Sequence, residues 1–371
     1  RRPAGQDQRV VDWLRLGADA EELATRAIQG GKRLSGHLRP MTIRAYRGFV
    51  ADGVAHVRAR VLEEPRFDAA ADSLRIDAAV YANLMRWVVL DMPGVDVTVT
   101  LGDVGTTVRS DADGFVNARL PVGDLPPGWH AVHLRAQDED GRPVTAHGRV
   151  VRPDPASQIG VISDIDDTIL RTGMTEGMRS IGRTLLRDAH GRKPIPGTPS
   201  LYRGLARGTG GRPESTFFYV SSSPWNLYDM LVQFLGLRGF PRGPLFLTDW
   251  RPGPTVGSQP ENPGHKRARI RRLLDAYPEL SFVLVGDDGE ADPAIYKEFL
   301  GSDAEQVRLA MVRSVRGEAG RKARDVDALP DSPRKVLTCS DAEHMARIAH
   351  RLGLVDELTV EEVQTERGAR L

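Results

Sequence analysis

Cysteine is nearly absent. Cys339 is the single example in 371 residues, which excludes an intramolecular disulfide and any cysteine-built metal centre. That usage fits a reducing cytoplasm and is also compatible with export. An excess of one charge is equally lacking, since 51 Lys+Arg face 50 Asp+Glu. Nucleic-acid binding driven by bulk positive charge is thereby excluded, and no nucleic-acid partner is expected. No run approaches the ~18 apolar residues of a membrane span. Arg1-Arg2-Pro3 opens the chain without the apolar core of a signal peptide, and the missing initiator methionine leads us to expect residues before Arg1. Internal repeats and low-complexity blocks are absent too. What is there, 40% hydrophobic and 27% charged residues, is the composition of a soluble globular protein. At ~150 residues per domain the length suggests about two domains.

Residues 9–28 place apolar side chains at helical spacing and run into Gly30-Gly31, a helix stop. A helical segment is therefore expected over 1–38. From 39 to 152 the period shortens. Thr42–Tyr46, Val54–Val61 and Val95–Leu101 alternate, as do Gly105–Arg109, Phe115–Leu120, Ala131–Ala136 and Thr145–Val151. Asp52-Gly53, Asp113-Gly114 and Asp140-Gly141 punctuate them as turns. This spacing predicts an antiparallel β-sandwich. Pro153 and Pro155 mark a linker. Over 156–330 the pattern becomes short apolar runs, Ile159–Ser163, Thr216–Val220, Ser281–Val285 and Val307–Val312, alternating with helical stretches at 199–207, 227–237 and 265–277. Such alternation predicts an open parallel α/β sheet. Residues 331–371 read as a helical tail, with a final helix over Ser340–Leu354.

Polar residues cluster where these apolar runs end. The first run leads into Asp164-Ile165-Asp166-Asp167-Thr168, the second into Ser221-Ser222-Ser223-Pro224-Trp225, and a later one into Gly286-Asp287-Asp288-Gly289-Glu290-Ala291-Asp292. Ligands of open α/β sheets bind outside the carboxyl ends of the strands. Carboxylates gathered there require a cation, and a hard one such as Mg²⁺ is the economical choice. Lys266, at the start of the helix before the third strand, supplies a fixed positive charge.

The order Asp-x-Asp-x-Thr, strand-end Ser, Lys, then Gly-Asp-Asp with a later Asp resembles the haloacid dehalogenase-like (HAD) phosphatase superfamily. Ser163–Leu170, Arg192–Gly197, Val220–Tyr228, Gly243–Trp250, Gly264–Ile270 and Val285–Tyr296 further resemble the catalytic domain of the actin-patch-associated phosphatidate phosphatases. Tyr46-Arg47-Gly48 fits their bacterial branch. The resemblance covers about 158–320 and implies a Rossmann-like HAD fold that removes phosphate from phosphatidic acid with Mg²⁺. It implies Asp164 as nucleophile and Asp166 as acid and base. Ser221 and Lys266 would clamp the phosphoryl oxygens, with Thr168 and Ser222 as further substrate contacts. Mg²⁺ would be held by Asp164, the Asp166 carbonyl and Asp287, with Asp292 acting behind them; the doubled Asp287-Asp288 leaves two candidates for the direct ligand.

The segment 169–216 carries Arg171, Arg179, Arg183, Arg187, Arg192 and Lys193. They read either as a solvated helix face or as a basic lip for an anionic headgroup, with Arg187, Arg192 and Lys193 as substrate-binding candidates and transient membrane contact as the consequence. Competing readings are a phosphatase for a soluble ester or phosphoprotein, and a lipid-phosphate binding module. The Asp at 166 argues against the module, since binding-only relatives are expected to lose it. Asp111 and Asp138 open calcium-like loops, but Val122 and Arg149 stand where an EF-hand needs glutamate. No Gly-x-Ser-x-Gly elbow surrounds Ser221. His190 and His265 are read as surface or capping residues, and Trp225 as either a stacking or a packing residue.

Overall fold

The computed structural model describes residues 40–63, 91–170, 193–249, 263–315 and 335–369. The predicted helix at 9–28 lies outside them, as do His190 and Arg171, Arg179, Arg183, Arg187 and Arg192.

The first unit is a sheet of β1 (Met41–Ala45), β2 (Gly48–Ala51), β3 (Val54–Glu63), β4 (Asp96–Leu101), β5 (Val104–Arg109), β6 (Phe115–Pro121), β7 (Gly128–Gln137) and β8 (Pro143–Arg152). Alternation dictates the burial. In β4 the side chains of Val97, Val99 and Leu101 are buried, while Asp96 and Thr98 are exposed. Asp52 and Gly53 both take left-handed backbone (φ 51 and 70) and join β2 to β3 in the tight turn that hairpin twist favours. The strand order is β1-β3-β2-β8-β7-β4-β5, with β6 on the other edge of β3. Hydrogen bonds thus join all eight strands in one continuous sheet, and the β2–β8 pair is parallel. The sequence expectation was purely antiparallel. Period-two alternation fixes which face a residue takes, and leaves open which distant strand it pairs with. The Asp111 and Asp138 carboxylates accept amides of their own turns, from Asp113 and Phe115 and from Asp140 and Arg142. They cap hairpins.

The second sheet contains β9 (Gly160–Ser163), β10 (Thr216–Pro224), β11 (Leu245–Thr248), β12 (Phe282–Asp287), β13 (Val307–Arg313) and β14 (Leu337–Cys339), in the order β11-β10-β9-β12-β13-β14. Every pair is parallel. The apolar runs are buried on both faces, as a parallel sheet requires. Around it lie α1 (Thr198–Arg207), α2 (Tyr228–Leu237), α3 (Pro263–Ala276), α4 (Asp292–Ser302), α5 (Ala342–Arg351) and α6 (Glu357–Gly368). The residues expected as a tail are integrated into this unit. β14 extends the sheet, and Ala342, Met345 and Val363 share a core with Leu201 and Leu205 of α1. Cys339 is buried in that core.

Candidate active site

β9 occupies the point where the strand order reverses, between β10 and β12. Ser163, its last residue, stands opposite Tyr219 on one side and Val285 on the other. The polar residues that follow these positions are therefore neighbours at the carboxyl edge, where a reversal leaves a crevice. Asp164 follows β9 directly and Asp287 ends β12. β10 runs on through Ser221–Pro224, so the serines belong to the strand rather than to a loop after it.

Asp164, Asp287 and Asp292 each offer an oxygen within 4.8 Å of the others, and all three are buried. Lys266 Nζ donates to Asp164 Oδ1 at 3.0 Å and to Glu290 Oε2 at 3.2 Å, and also bonds Asp292 Oδ1. Among the described residues Asp164 Oδ2, which is buried, has no hydrogen-bond partner. Thr168 Oγ1 donates to Asp287 Oδ2 at 3.1 Å, and the Gly289 amide to Asp287 Oδ1 at 2.7 Å. Thr168, expected at the substrate, is thus buried and engaged in orienting a carboxylate. Asp288 is used elsewhere. Its carboxylate accepts the Val315 amide at 2.6 Å, while its own amide bonds Arg313 O. Asp287 is the member of the pair that joins the cluster.

Asp166 has a different setting. Its Oδ2 accepts from Ser221 Oγ at 2.6 Å and from Ser223 Oγ at 2.9 Å, and the Ser223 amide donates to Ser221 Oγ at 2.9 Å. The Ser221 hydroxyl is thereby committed to a carboxylate. Asp167 takes a left-handed conformation (φ 51) in the turn beyond, with its carbonyl held by the Arg313 Nε at 3.0 Å. Ser222 is half-buried, and its carbonyl accepts from Thr248 Oγ1 at 3.0 Å.

Among the described residues one ammonium, that of Lys266, is bonded to three of these acids and does not balance them. Burial, opposed by Lys266, holds the Asp164 carboxyl well above the usual carboxylate range. Burial also raises Asp166, against the two serine hydroxyls. Asp287 is pushed up to about 6 by burial and then by Asp292, and Glu290 to about 7 by burial, opposed by Lys266. Lys266 is itself disfavoured by burial, but Asp164, Asp292 and Glu290 outweigh this and keep its pKa well above the ordinary value. Clustered carboxylates with raised pKa values, one of them carrying an orphaned oxygen, favour a bound cation. The all-oxygen donor set suits a hard divalent one.

Of the predicted residues, Asp164, Asp166, Thr168, Ser221, Lys266, Asp287 and Asp292 come together. Arg187 and Arg192 lie outside the described residues, and Lys193 is exposed. Leu170 bridges both Asp166 and Pro194. Sequence reasoning missed Ser223 and Glu290, although both stood in the motifs, because only distance gives them a partner. Trp225 is buried against Tyr46, with ring centroids 4.5 Å apart, a packing position. The pKa of half-buried His265 is lowered by burial and then by Arg269.

Residues 159–314 match the family described as the catalytic domain of phosphatidate phosphatase APP1. The APP1-like segment spans β9 to β13 and holds every residue of the cluster, while β1–β8 lie outside it. Phosphatidate phosphatase APP1 of Saccharomyces cerevisiae is 36% identical over 138 residues, 37% of this chain and 23% of that protein. An uncharacterised protein of Schizosaccharomyces pombe is 28% identical over 186 residues, 50% of this chain and 30% of that one. The chain thus matches less than a third of the length of either relative. Among solved structures, a carbohydrate acetylesterase from Xanthomonas citri aligns with 70% of this chain and 63% of its own. Its 11% identity and TM-score of 0.23 are too low to bear on the fold.

Proposed function

We propose that this chain is a Mg²⁺-dependent phosphatase of haloacid dehalogenase type, with a Rossmann-like catalytic domain, acting on phosphatidic acid through an aspartyl-phosphate intermediate. One observation carries the reading. The buried cluster of Asp164, Asp166, Lys266, Asp287 and Asp292 lies wholly inside the segment that matches the APP1 catalytic domain. We take residues 39–152 as the domain built on the first sheet and 156–369 as the catalytic domain, with β14, α5 and α6 belonging to it.

In the proposed reaction the Asp164 carboxylate attacks phosphorus, and the bond from phosphorus to the leaving alkoxide breaks. Asp166, its pKa raised by burial, keeps a proton to higher pH than an ordinary aspartate and gives it to that alkoxide. The deprotonated Asp166 then takes a proton from water, which hydrolyses the acyl phosphate and restores Asp164. Ser221 and Ser223 orient Asp166 throughout. Lys266 holds Asp164 in place and offers positive charge to the phosphoryl oxygens. Mg²⁺, bound by Asp164, Asp287 and the Asp166 carbonyl, would neutralise charge between nucleophile and phosphate. Asp292 aligns Lys266, and Thr168 aligns Asp287.

For the substrate, the name of the yeast relative and the arginines of the sequence between the first two motifs support a lipid phosphate. Among the described residues no helix is long and apolar enough to cross a membrane. Basic side chains near an anionic bilayer surface would contribute ~1 kcal/mol each. Phosphate release from phosphatidic acid in mixed micelles, compared with soluble phosphomonoesters, tests this. Charge reversal at Arg187, Arg192 and Lys193 should depress turnover of the lipid far more than that of the soluble ester. Faster cleavage of a soluble ester under matched conditions would transfer the assignment to the soluble class.

A further inference from the structure

The serines that hold Asp166 sit at the end of β10, and β10 runs straight into a 3-10 turn, Trp225–Leu227. The first sheet grips that turn. Arg60 of β3 is only 7% exposed, yet each of its guanidinium nitrogens is used. Nε donates to Asp113 O at 3.1 Å, Nη2 pairs with Asp91 Oδ1 at 2.6 Å, and Nη1 donates to Asn226 Oδ1 at 2.9 Å. The Phe115 ring lies beneath it, 4.7 Å from the guanidinium carbon. A planar fork held at three corners has one orientation, so Asn226 is fixed relative to β3 and β6. Trp225, just before it, is wedged between the Tyr46 ring at 4.5 Å and the Arg58 guanidinium at 4.6 Å. Tyr228, just after it, accepts the Arg47 amide on its hydroxyl at 2.7 Å. Pro224, with φ −76, stiffens the short link back to Ser223.

We propose that the β1–β8 sheet completes the catalytic centre by clamping this turn, with Arg60 as a positioning residue that acts through Asn226 on Ser221 and Ser223, and so on Asp166. The inference rests on the phosphatase reading and deepens it, because it gives the first sheet a task in the reaction. Burying a guanidinium is costly, and an apolar side chain often serves stability as well. What Arg60 adds is a fixed geometry for a turn that lies outside its own sheet.

The test uses the full chain with Mg²⁺ and para-nitrophenyl phosphate. Asn226→Ala removes the acceptor at the clamp, and Asn226→Asp keeps it. Tyr277→Phe is the control, since it cuts a different bond between the two units, Tyr277 OH to Val50 O at 2.9 Å. Displacing catalytic groups by about 1 Å costs on the order of 100-fold in rate, so Asn226→Ala should lower kcat about 10- to 100-fold with KM little changed. Asn226→Asp should recover most of kcat, and Tyr277→Phe should keep it. Amide exchange at Ser223 should quicken in Asn226→Ala and not in Tyr277→Phe. Equal kcat in Asn226→Ala and Tyr277→Phe would overturn the proposal. Should the wild-type protein release no phosphate from para-nitrophenyl phosphate or from phosphatidic acid in mixed micelles, the phosphatase reading fails and exchange at Ser223 decides the clamp, unchanged exchange overturning it.

Discussion

At Gly286 the site leaves no room for a single extra carbon. A Cβ there would stand 2.1 Å from Asp292 Oδ2 and 2.8 Å from the Tyr296 hydroxyl. The absence of a side chain lets the end of β12 press against the start of α4, which carries Asp292 to Lys266. Gly286→Ala should therefore abolish phosphate release and destabilise the fold by about 1–3 kcal/mol, the range for overpacking. Wild-type activity and an unchanged urea midpoint in that variant would contradict it. The legible part of the site was the part written as residue type and spacing: the aspartates, the strand-end serine and the lysine. Three roles depended on distance instead. Ser223 doubles the hold on Asp166, Glu290 reaches Lys266, and Thr168 turns to Asp287. No pattern of spacing encodes those partners.

Elements with a strong period, or with an apolar run leading into a polar motif, were readable from the chain, and β11 and β14 were not. β4, β6 and β7 follow their alternation, and β9 and β12 their apolar runs. β11 has four residues and β14 three, too few to show a period. They are strands because β10 and β13 offer edges to pair with. The C-terminal helices gain their place the same way, by packing. α6 lies so close to α1 that a Cβ on Gly204 would meet Thr359 Cγ2 at 2.1 Å. Alanine is the better helix former by ~1 kcal/mol, but the collision falls on a residue with no exposed surface. Gly204→Ala should therefore be net destabilising, by about 1–3 kcal/mol, in urea denaturation. A stabilised variant would show that α6 can move away freely.

Across the whole molecule, the two sheets are joined through shared cores. Tyr46 and Phe115 pack with Trp225, and Phe49 with Phe246. His56 lies in this junction, stacked on Phe49 and accepting from Arg272 on Nδ1 at 3.1 Å. Burial, then Arg272 and Arg119, lower its pKa from 6.5 to about 4, with Asp52 opposing. The unfolded chain therefore binds the proton first. The stability His56 contributes is complete above about pH 6.5 and is lost as pH falls towards about 4. Thermal midpoints should fall between neutral and mildly acid pH, and by less in His56→Gln. An equal fall in both proteins would assign the acid sensitivity to other groups.

The chemistry assigned to the whole chain comes down to one bond, between Asp164 and phosphorus. In Asp166→Asn the adduct should form and then persist, because the group that activates water is gone and general acid–base catalysis supplies ~10²–10⁴-fold. The measurement is mass spectrometry of the peptide containing residue 164, after rapid acid quench of Asp166→Asn with Mg²⁺ and an activated soluble phosphomonoester. We predict a phosphoryl group on Asp164, absent when Asp164→Asn is added. Phosphate release without any such adduct, or a phosphoryl group on Ser221 instead, would contradict the account.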